Sequence, residues 1–394
     1  MVSLLKNTLY DYVLWRGDLS CLDIAYNEID YLIFSELSYV KFDSIIELDQ
    51  EPLSLHDAFV LYTKRNETMS PDELKYIYNE NHHLFELMAH AKRYQNIQII
   101  SYINEIDKEL IKQFSATTLL LEDQTLFVAY RGTDEALVGW HEDFLMLCES
   151  KVPAQISAAN YLEHVSRFPY KHSLIQSLKN LYLGNLKERF IKHFQYKKAR
   201  PLLLAGHSKG GNLAMYAGCF CDQDIQERIQ LIYNYDGPGF QNDIIQSPEY
   251  QKMLPRIHSY LPHYSFFGIV LNHEENYSVV NSQYTGMLQH NPYSWQVTPH
   301  GFVEDELSYE SVQFAIKVII FLEKLSYEDK HAFIEAMFGL FESLGLKTFS
   351  DLSHISYKHI LAGIKELTLL KSDVRKMLIE VLHMLWLEAK KTKK

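Results

Sequence analysis

A serine flanked by glycines stands in the middle of the chain, at Gly206-His207-Ser208-Lys209-Gly210. The pattern G-x-S-x-G is typical of a nucleophile elbow, a sharp strand-to-helix turn that holds a serine hydroxyl clear of a sheet. The flanks fit this turn, because residues 202–205 are apolar as in a buried strand and residues 212–217 can continue as a helix. We therefore predict that Ser208 is the nucleophile of an acyl-transfer reaction. The alternative is a tight turn whose serine only caps the helix.

A second chemical element lies upstream, where an apolar run over residues 125–130 leads into Arg131-Gly132-Thr133. Acyl transfer needs hydrogen-bond donors aimed at the oxyanion that develops on the carbonyl, usually one after the nucleophile and one from an earlier strand-to-loop turn. The N–H of Lys209 can supply the first donor, and the N–H or hydroxyl of Thr133 the second. The alternative for Thr133 is an ordinary turn or helix-cap residue.

The general base of such a site is expected to be a histidine that follows the serine in the chain. Among the histidines after Ser208, we select His290, which lies in a loop bounded by Gly286, Asn291 and Pro292. A loop position lets an imidazole reach over the serine and accept its proton. The alternative is a surface or core histidine without a chemical role.

The acid that orients the imidazole is predicted to be Asp236. It ends the apolar run over residues 231–235 and precedes Gly237-Pro238-Gly239, so it could approach His290 from the end of a strand. Aspartate before glycine and proline is also common in turns, where it bonds its own backbone. Glu274 and Glu275 are the fallback acids.

The R-G-T turn followed by G-H-S-x-G-G resembles the class 3 (triacylglycerol) lipases, a branch of the α/β hydrolases, over about residues 114–297. An uncharacterised group of bacterial lipase-like proteins is more similar still, through the segments DYVLWRGDLS at residues 11–20 and DGPGF at residues 236–240. This resemblance implies an α/β-hydrolase core and a serine hydrolase that cleaves a carboxylic ester or thioester of a small molecule or lipid. It also implies a histidine in a loop such as that of His290.

The chain departs from the lipases at residues 257–268. The lipases usually carry the catalytic aspartate near this segment, which here contains no carboxylate. A non-catalytic α/β-hydrolase-fold scaffold or ligand-binding protein is therefore the alternative function, and acyl transfer to an acceptor other than water is a third.

No metal or cofactor is expected, because the sequence has no H-E-x-x-H motif, no C-x-x-C pair and no phosphate-binding lysine loop. His141-Glu142-Asp143 and His273-Glu274-Glu275 contain ligand-type residues at adjacent positions, which do not converge on one ion, so both are expected to be solvated or structural. In the segment Trp140 to Phe144, packing of the two aromatic residues is favoured, with Asp143 as a helix-end partner. The lipase resemblance offers the alternative that this segment borders the active-site cleft.

Three regions differ in sequence pattern. Residues 1–110 show helical spacing, as in 28–39 and 72–94 with a helix start at 70–73, and few strand signals. Residues 111–304 alternate strand-like runs (117–121, 125–130, 202–205, 231–235 and 277–280) with helical stretches such as 157–194, which predicts a mainly parallel sheet flanked by helices. Residues 305–394 return to helical spacing, as in 312–325 and 374–386.

Composition agrees with a folded enzyme. The 394 residues are 47% hydrophobic, so the chain can bury a large core, and the net charge of −12 argues against nucleic acid as a partner. Four irregularly spaced cysteines do not suggest a disulfide framework. There is no signal-peptide pattern and no apolar run of membrane-spanning length, so we expect a cytoplasmic protein without an integral membrane segment.

Overall fold

The computed structural model describes residues 6–46, 48, 51–70, 74, 79–167, 200–348, 351, 355, 363 and 371–391. Most of the predicted helix start at 70–73 lies outside these residues, as does the predicted helical stretch beyond residue 167.

An eight-stranded sheet runs through the described part of the chain, with its strands side by side in chain order. The pairings from β1 to β4 are antiparallel, and those from β4 to β8 are parallel. The strands are β1 (Leu53–Ser54), β2 (Gln98–Asp107), β3 (Lys112–Leu120), β4 (Leu126–Tyr130), β5 (Leu202–His207), β6 (Ile229–Tyr235), β7 (Ile257–Pro262) and β8 (Asn276–Val280). A separate antiparallel pair consists of β9 (Val297–Thr298) and β10 (Gly301–Phe302).

Helices precede, connect and follow the strands. The first group is α1 (Leu9–Arg16), α2 (Glu28–Leu37), α3 (Leu55–Asn66) and α4 (Glu80–His90). The connecting helices are α5 (Leu137–Leu145), α6 (Pro153–Arg167), α7 (Lys209–Phe220), α8 (Gln223–Gln226), α9 (Asn242–Ile245) and α10 (Pro248–Met253). The last group is α11 (Tyr309–Lys324), α12 (Tyr327–Ser343) and α13 (Ser372–Lys391).

Helices cover both faces of the sheet, as a parallel sheet with two apolar faces requires. Residues of α1 to α4 share one buried cluster with side chains of β4 and β5 such as Phe127 and Ala205. Residues of α6, α7 and α10 form a second cluster with the opposite face, including Val128 and Leu204. A third cluster joins α5 with α12 and α13. The mixed α/β architecture with a mainly parallel sheet is therefore as predicted.

The prediction of few strands before residue 110 is wrong, because two strands lie there. β1 and the ten-residue β2 both belong to the main sheet, and β2 pairs with β3 along its whole length. Strand β2 (QIISYINEID) lacks strict alternation, since it is buried on both faces at its start and becomes exposed towards its end. The division of the chain at residues 110 and 305 stays a prediction, but the first two regions share one sheet.

Candidate active site

The nucleophile elbow is formed where β5 ends and α7 begins. Ser208 separates the two elements and has φ 58° and ψ −135°, a backbone conformation that residues with a side chain rarely adopt. Its N–H donates to the carbonyl of Tyr235 at the end of β6, over 2.9 Å, and its own carbonyl accepts from Gly211 over 2.9 Å. These bonds hold the turn on both sides. Ser208 is half-buried, so it is not enclosed in the core.

Two glycines allow the backbones around the elbow to approach closely. A Cβ on Gly210 would lie 2.1 Å from the carbonyl oxygen of Tyr130, so only glycine lets α7 start beside β4. A Cβ on Gly132 would lie 2.6 Å from the carbonyl oxygen of His207 and 3.0 Å from Cβ of Ser208. The Gly132-Thr133 turn is therefore packed directly against the elbow.

The two predicted oxyanion donors belong to the two segments that are in contact here, Lys209 to the elbow and Thr133 to the Gly132-Thr133 turn. Lys209 is the first residue of α7, where backbone N–H groups have no acceptor within the helix. The Thr133 hydroxyl, in contrast, donates to Oδ2 of Asp143 over 2.5 Å. Because that hydroxyl is engaged, the backbone N–H is the group that Thr133 can direct at an oxyanion.

The Lys209 side chain turns away from solvent into a buried ion pair. Its Nζ lies 3.0 Å from Oε2 of Glu142 and 3.3 Å from Oδ1 of Asp143. Burial by itself lowers the pKa of Lys209, but the Asp143 and Glu142 carboxylates outweigh burial and raise the pKa above its usual value. Glu142 also accepts backbone hydrogen bonds from Gln113 and Ala154, which makes it structural, as expected. Asp143 does more than the expected helix-end pairing, since it joins Lys209 to Thr133.

Asp236 and His290 are in direct contact. Oδ2 of Asp236 lies 2.6 Å from Nδ1 of His290, and Asp236 is completely buried. The second oxygen, Oδ1, accepts from the Ser265 hydroxyl and from the N–H of Gly268 at 3.2 Å. Residues 257–268 thus carry no carboxylate of their own, but they supply two of the donors that hold the carboxylate of Asp236.

His290 is the last residue of a 3-10 turn over Gly286–His290, and its side chain is about 20% exposed. Burial lowers the pKa of His290 below its usual value, although the bond to Asp236 opposes this effect. An imidazole with a lowered pKa is neutral near neutral pH. It can therefore accept a proton.

The fallback acids lie in another network. Glu275 contacts Nδ1 of His273 at 2.7 Å and accepts from the Ser259 and Tyr250 hydroxyls. Burial by itself raises the pKa of Glu275, but the hydrogen bond and charge of His273 lower the pKa to about 2. Glu274 accepts from Gln251 at the surface. It is Asp236, and neither of these acids, that bonds to His290.

Three residues near the elbow were not predicted from the sequence: His207, Glu36 and Tyr39. His207 is buried, its Nε2 lies 2.9 Å from the carbonyl oxygen of His290, and its ring centroid is 4.7 Å from that of His290. Its Nδ1 is 3.1 Å from the carboxylate of Glu36, and the hydroxyl of Tyr39 is 3.4 Å from the same nitrogen. His207 belongs to the motif itself and could have been noticed. Glu36 and Tyr39 lie about 170 positions earlier in the printed sequence, where no local pattern marks them.

Aromatic rings border the imidazole. The centroid of the Phe267 ring lies 4.4 Å from that of His290, and Trp140 lies 6.2 Å from Phe267. Phe144 instead packs against Phe338, at 5.8 Å. Both aromatic residues of segment 140–144 therefore pack against the third cluster as expected, and Trp140 also lies beside Phe267 at the candidate site.

Within the described ranges, no group of three or more His, Cys, Asp or Glu side chains could hold a metal ion. None of the helices in this part of the chain is long and apolar enough to cross a bilayer.

The sheet, the elbow at the end of a parallel strand and the flanking helices give the chain the α/β-hydrolase fold. Solved structures with a similar fold include lipases of low sequence identity. The M37 lipase is 14% identical with a TM-score of 0.35, covering 63% of this chain and 70% of that one. The native Rhizomucor miehei lipase propeptide complex is 9% identical with a TM-score of 0.36, covering 64% and 67%. Lipase II from Rhizopus niveus is 11% identical with a TM-score of 0.32, covering 72% and 89%.

Among curated proteins, none matches the chain. A family model does match residues 88–339, from the helix before β2 to α12, and so includes all of the residues that surround the elbow except Glu36 and Tyr39. The chain belongs to the Mbeg1-like family.

Proposed function

We propose that this protein is a serine hydrolase that cleaves a carboxylic ester or thioester through an acyl-enzyme intermediate. The observation that carries the proposal is the 2.6 Å contact between the buried Asp236 carboxylate and Nδ1 of His290. A carboxylate on Nδ1 fixes the tautomer in which Nε2 is free to accept a proton. The ring of His290 is also beside the residue that precedes Ser208.

In the proposed reaction, the Ser208 oxygen bonds to the acyl carbonyl carbon while His290 takes the hydroxyl proton. The N–H groups of Lys209 and Thr133 hold the oxyanion. The carbon–oxygen or carbon–sulfur bond then breaks, and His290 returns the proton to the leaving alcohol or thiol. Water, activated by the same imidazole, releases the acid and restores Ser208.

The absence of a carboxylate in residues 257–268 was the main argument for a non-catalytic scaffold. The contacts of Asp236 support the catalytic alternative instead. Its carboxylate contacts Nδ1 of His290, and Ser265 and Gly268 of that segment donate to the same carboxylate. A carboxylic ester or thioester of a lipid or small molecule is the substrate class that we propose.

Labelling with a fluorophosphonate probe tests the nucleophile. The folded wild-type protein is expected to be labelled, and the Ser208→Ala variant is expected not to be. No labelling of folded wild-type protein would favour the scaffold, and equal labelling of the variant would exclude Ser208. Product analysis with alcohol or thiol acceptors would separate hydrolysis from acyl transfer.

A matched pair of substitutions tests the acid. Asp236→Asn is expected to lower kcat for p-nitrophenyl butyrate by a factor on the order of 10³ to 10⁴, because the amide disfavours the required tautomer. Glu275→Gln removes another buried carboxylate that contacts a histidine, and kcat is expected to stay close to that of the wild type. The reverse result would identify Glu275 as the acid.

A further inference from the structure

The pair formed by Glu36 and His207 lies beside the elbow but has no part in the reaction described above. Glu36 is in α2, and its side chain is 4% exposed, while that of His207 is 8% exposed. Oε1 of Glu36 is 3.1 Å from Nδ1 of His207. A carboxylate so deeply buried requires a positive partner or a hydrogen-bond donor, because burying a lone charge is costly.

The second nitrogen of His207 faces another pure acceptor. Its Nε2 lies 2.9 Å from the backbone carbonyl oxygen of His290. A carbonyl oxygen only accepts hydrogen bonds, so Nε2 must carry a proton, while Nδ1 lies at ion-pair distance from Glu36 and 3.4 Å from the Tyr39 hydroxyl. A ring protonated at Nδ1 as well is an imidazolium, which supplies the positive partner that the buried Glu36 carboxylate needs.

We propose that Glu36 and His207 are positioning residues, which hold the backbone of His290 so that its ring is placed for proton transfer. The proposal rests on the proposed function of His290 as base. It adds that a helix of the N-terminal region takes part in positioning the site, since Glu36 of α2 contacts His207 and His207 contacts the backbone of His290. Glu36 is itself held by Asn81 of α4, whose Nδ2 donates to its Oε2 at 3.3 Å and to its backbone carbonyl at 2.9 Å.

The charges around His207 agree with this role. Burial by itself lowers the pKa of His207, but Glu36 and then Asp236 outweigh it and raise the pKa. The groups that face the ring are Glu36 from α2, the Tyr39 hydroxyl after α2, Asp236 after β6 and His290 from its loop. The positive ring disfavours a second proton on His290, which helps to keep that base neutral.

Two substitutions of Glu36 separate the hydrogen bond from the charge. Glu36→Ala leaves Nδ1 of His207 without its carboxylate, and kcat for p-nitrophenyl butyrate is expected to fall about tenfold or more with little change in KM. In Glu36→Gln, the amide can donate to Nδ1 of a neutral ring whose Nε2–H still donates to His290. This conservative variant is therefore expected to keep kcat within a few-fold of the wild type.

Glu275→Ala is the matched control, because it truncates another buried glutamate that contacts a histidine. Its kcat is expected to be unchanged in the folded fraction, so a loss confined to Glu36→Ala does not arise from a buried cavity alone. Wild-type kcat in folded Glu36→Ala would overturn the proposal.

Histidine NMR gives a readout that does not depend on activity. At neutral pH, the His207 ring is expected to be doubly protonated in the wild type and neutral in Glu36→Gln. The backbone resonances of His290 are expected to shift in Glu36→Ala and to stay in place in Glu275→Ala. If the wild type has no esterase activity but shows these shifts, the proposed function fails and the positioning role stands. A singly protonated His207 in the wild type, or unchanged His290 resonances, would overturn the positioning role.

Discussion

Two residues with positive φ hold the reactive groups of the candidate site. Ser208 has φ 58° at the end of β5, and Asp236 has φ 53° at the end of the neighbouring strand β6. Such conformations cost on the order of 1–3 kcal/mol each and persist only where the surroundings enforce them. Here the surroundings are backbone hydrogen bonds between strand ends, since the N–H of Ser208 donates to the carbonyl of Tyr235 and the N–H of Asp236 donates to the carbonyl of Tyr260. Adjacent parallel strands therefore fix Ser208 relative to Asp236.

The protonation of His290 is expected to set the pH dependence of activity. In the proposed role of general base it must be neutral, and burial lowers its pKa below the usual 6.5. Activity is therefore present at neutral pH and is lost as the pH falls through that lowered pKa. We expect kcat/KM for p-nitrophenyl butyrate to be level near neutral pH and to decline with a midpoint below 6.5.

The decline must be separated from acid unfolding. Circular dichroism at each pH gives the folded fraction, and only the range in which the protein remains folded is used. A midpoint clearly above 6.5 would mean that His290 is not the base, or that Asp236 dominates its environment more than burial does.

The approach of α7 to β4 depends on Gly210. A methyl group at this position would meet the backbone of Tyr130, which cannot rotate aside as a side chain could. The start of α7 would have to move away from the sheet, and Ser208 and Lys209 would move with it. A change at Gly210 is therefore expected to affect both the packing of α7 and the position of Ser208.

Gly210→Ala is therefore expected to lower the free energy of unfolding by at least about 1–3 kcal/mol and to reduce fluorophosphonate labelling of the remaining folded protein. Gly339→Ala is the matched control, because Gly339 lies in α12 with open space around its Cβ position. There, alanine is expected to stabilise the helix by up to about 1 kcal/mol. Urea unfolding measures both changes, and an unchanged stability of Gly210→Ala would contradict the close approach described for α7.

The sequence could predict features formed by residues that are close together in the chain, but not contacts between residues far apart in the chain. The elbow could be predicted because the strand, the turn glycines and the helix are adjacent in the chain, and Asp236 was selected from the strand that it ends. The contact of Glu36 with His207 could not, because it joins α2 to β5 through tertiary packing alone. Strand β2 was missed for a related reason: its partner β3, and not its own alternation, defines it as a strand.

The N-terminal helices and the sheet share one core. The rings of Tyr31 and Phe34 in α2 lie 5.7 and 5.2 Å from that of Phe127 in β4, and Tyr31 also stacks on Tyr233 of β6 at 5.1 Å. Side chains from both sides belong to a single buried cluster. We therefore expect this part of the chain to unfold together with the sheet, whatever the boundaries of the three sequence regions.

The buried ion pair between Asp30 and Arg93 tests this expectation. Asp30 binds Nη2 of Arg93 at 2.7 Å and Nε at 2.8 Å, both side chains are fully buried, and the Tyr94 hydroxyl donates to the same carboxylate. Asp30→Asn keeps the shape but leaves the guanidinium charge uncompensated, which is expected to lower the free energy of unfolding by about 3–5 kcal/mol. Asp23→Asn is the control, because Asp23 lies at the surface, where it accepts hydrogen bonds from Ser20 and pairs with Lys92, and its replacement is expected to have a much smaller effect. Urea unfolding, followed by circular dichroism and by fluorophosphonate labelling of Ser208, should show one transition by both probes for Asp30→Asn. If the labelling survives a first transition in which helix content is lost, the N-terminal helices unfold independently and do not support the site.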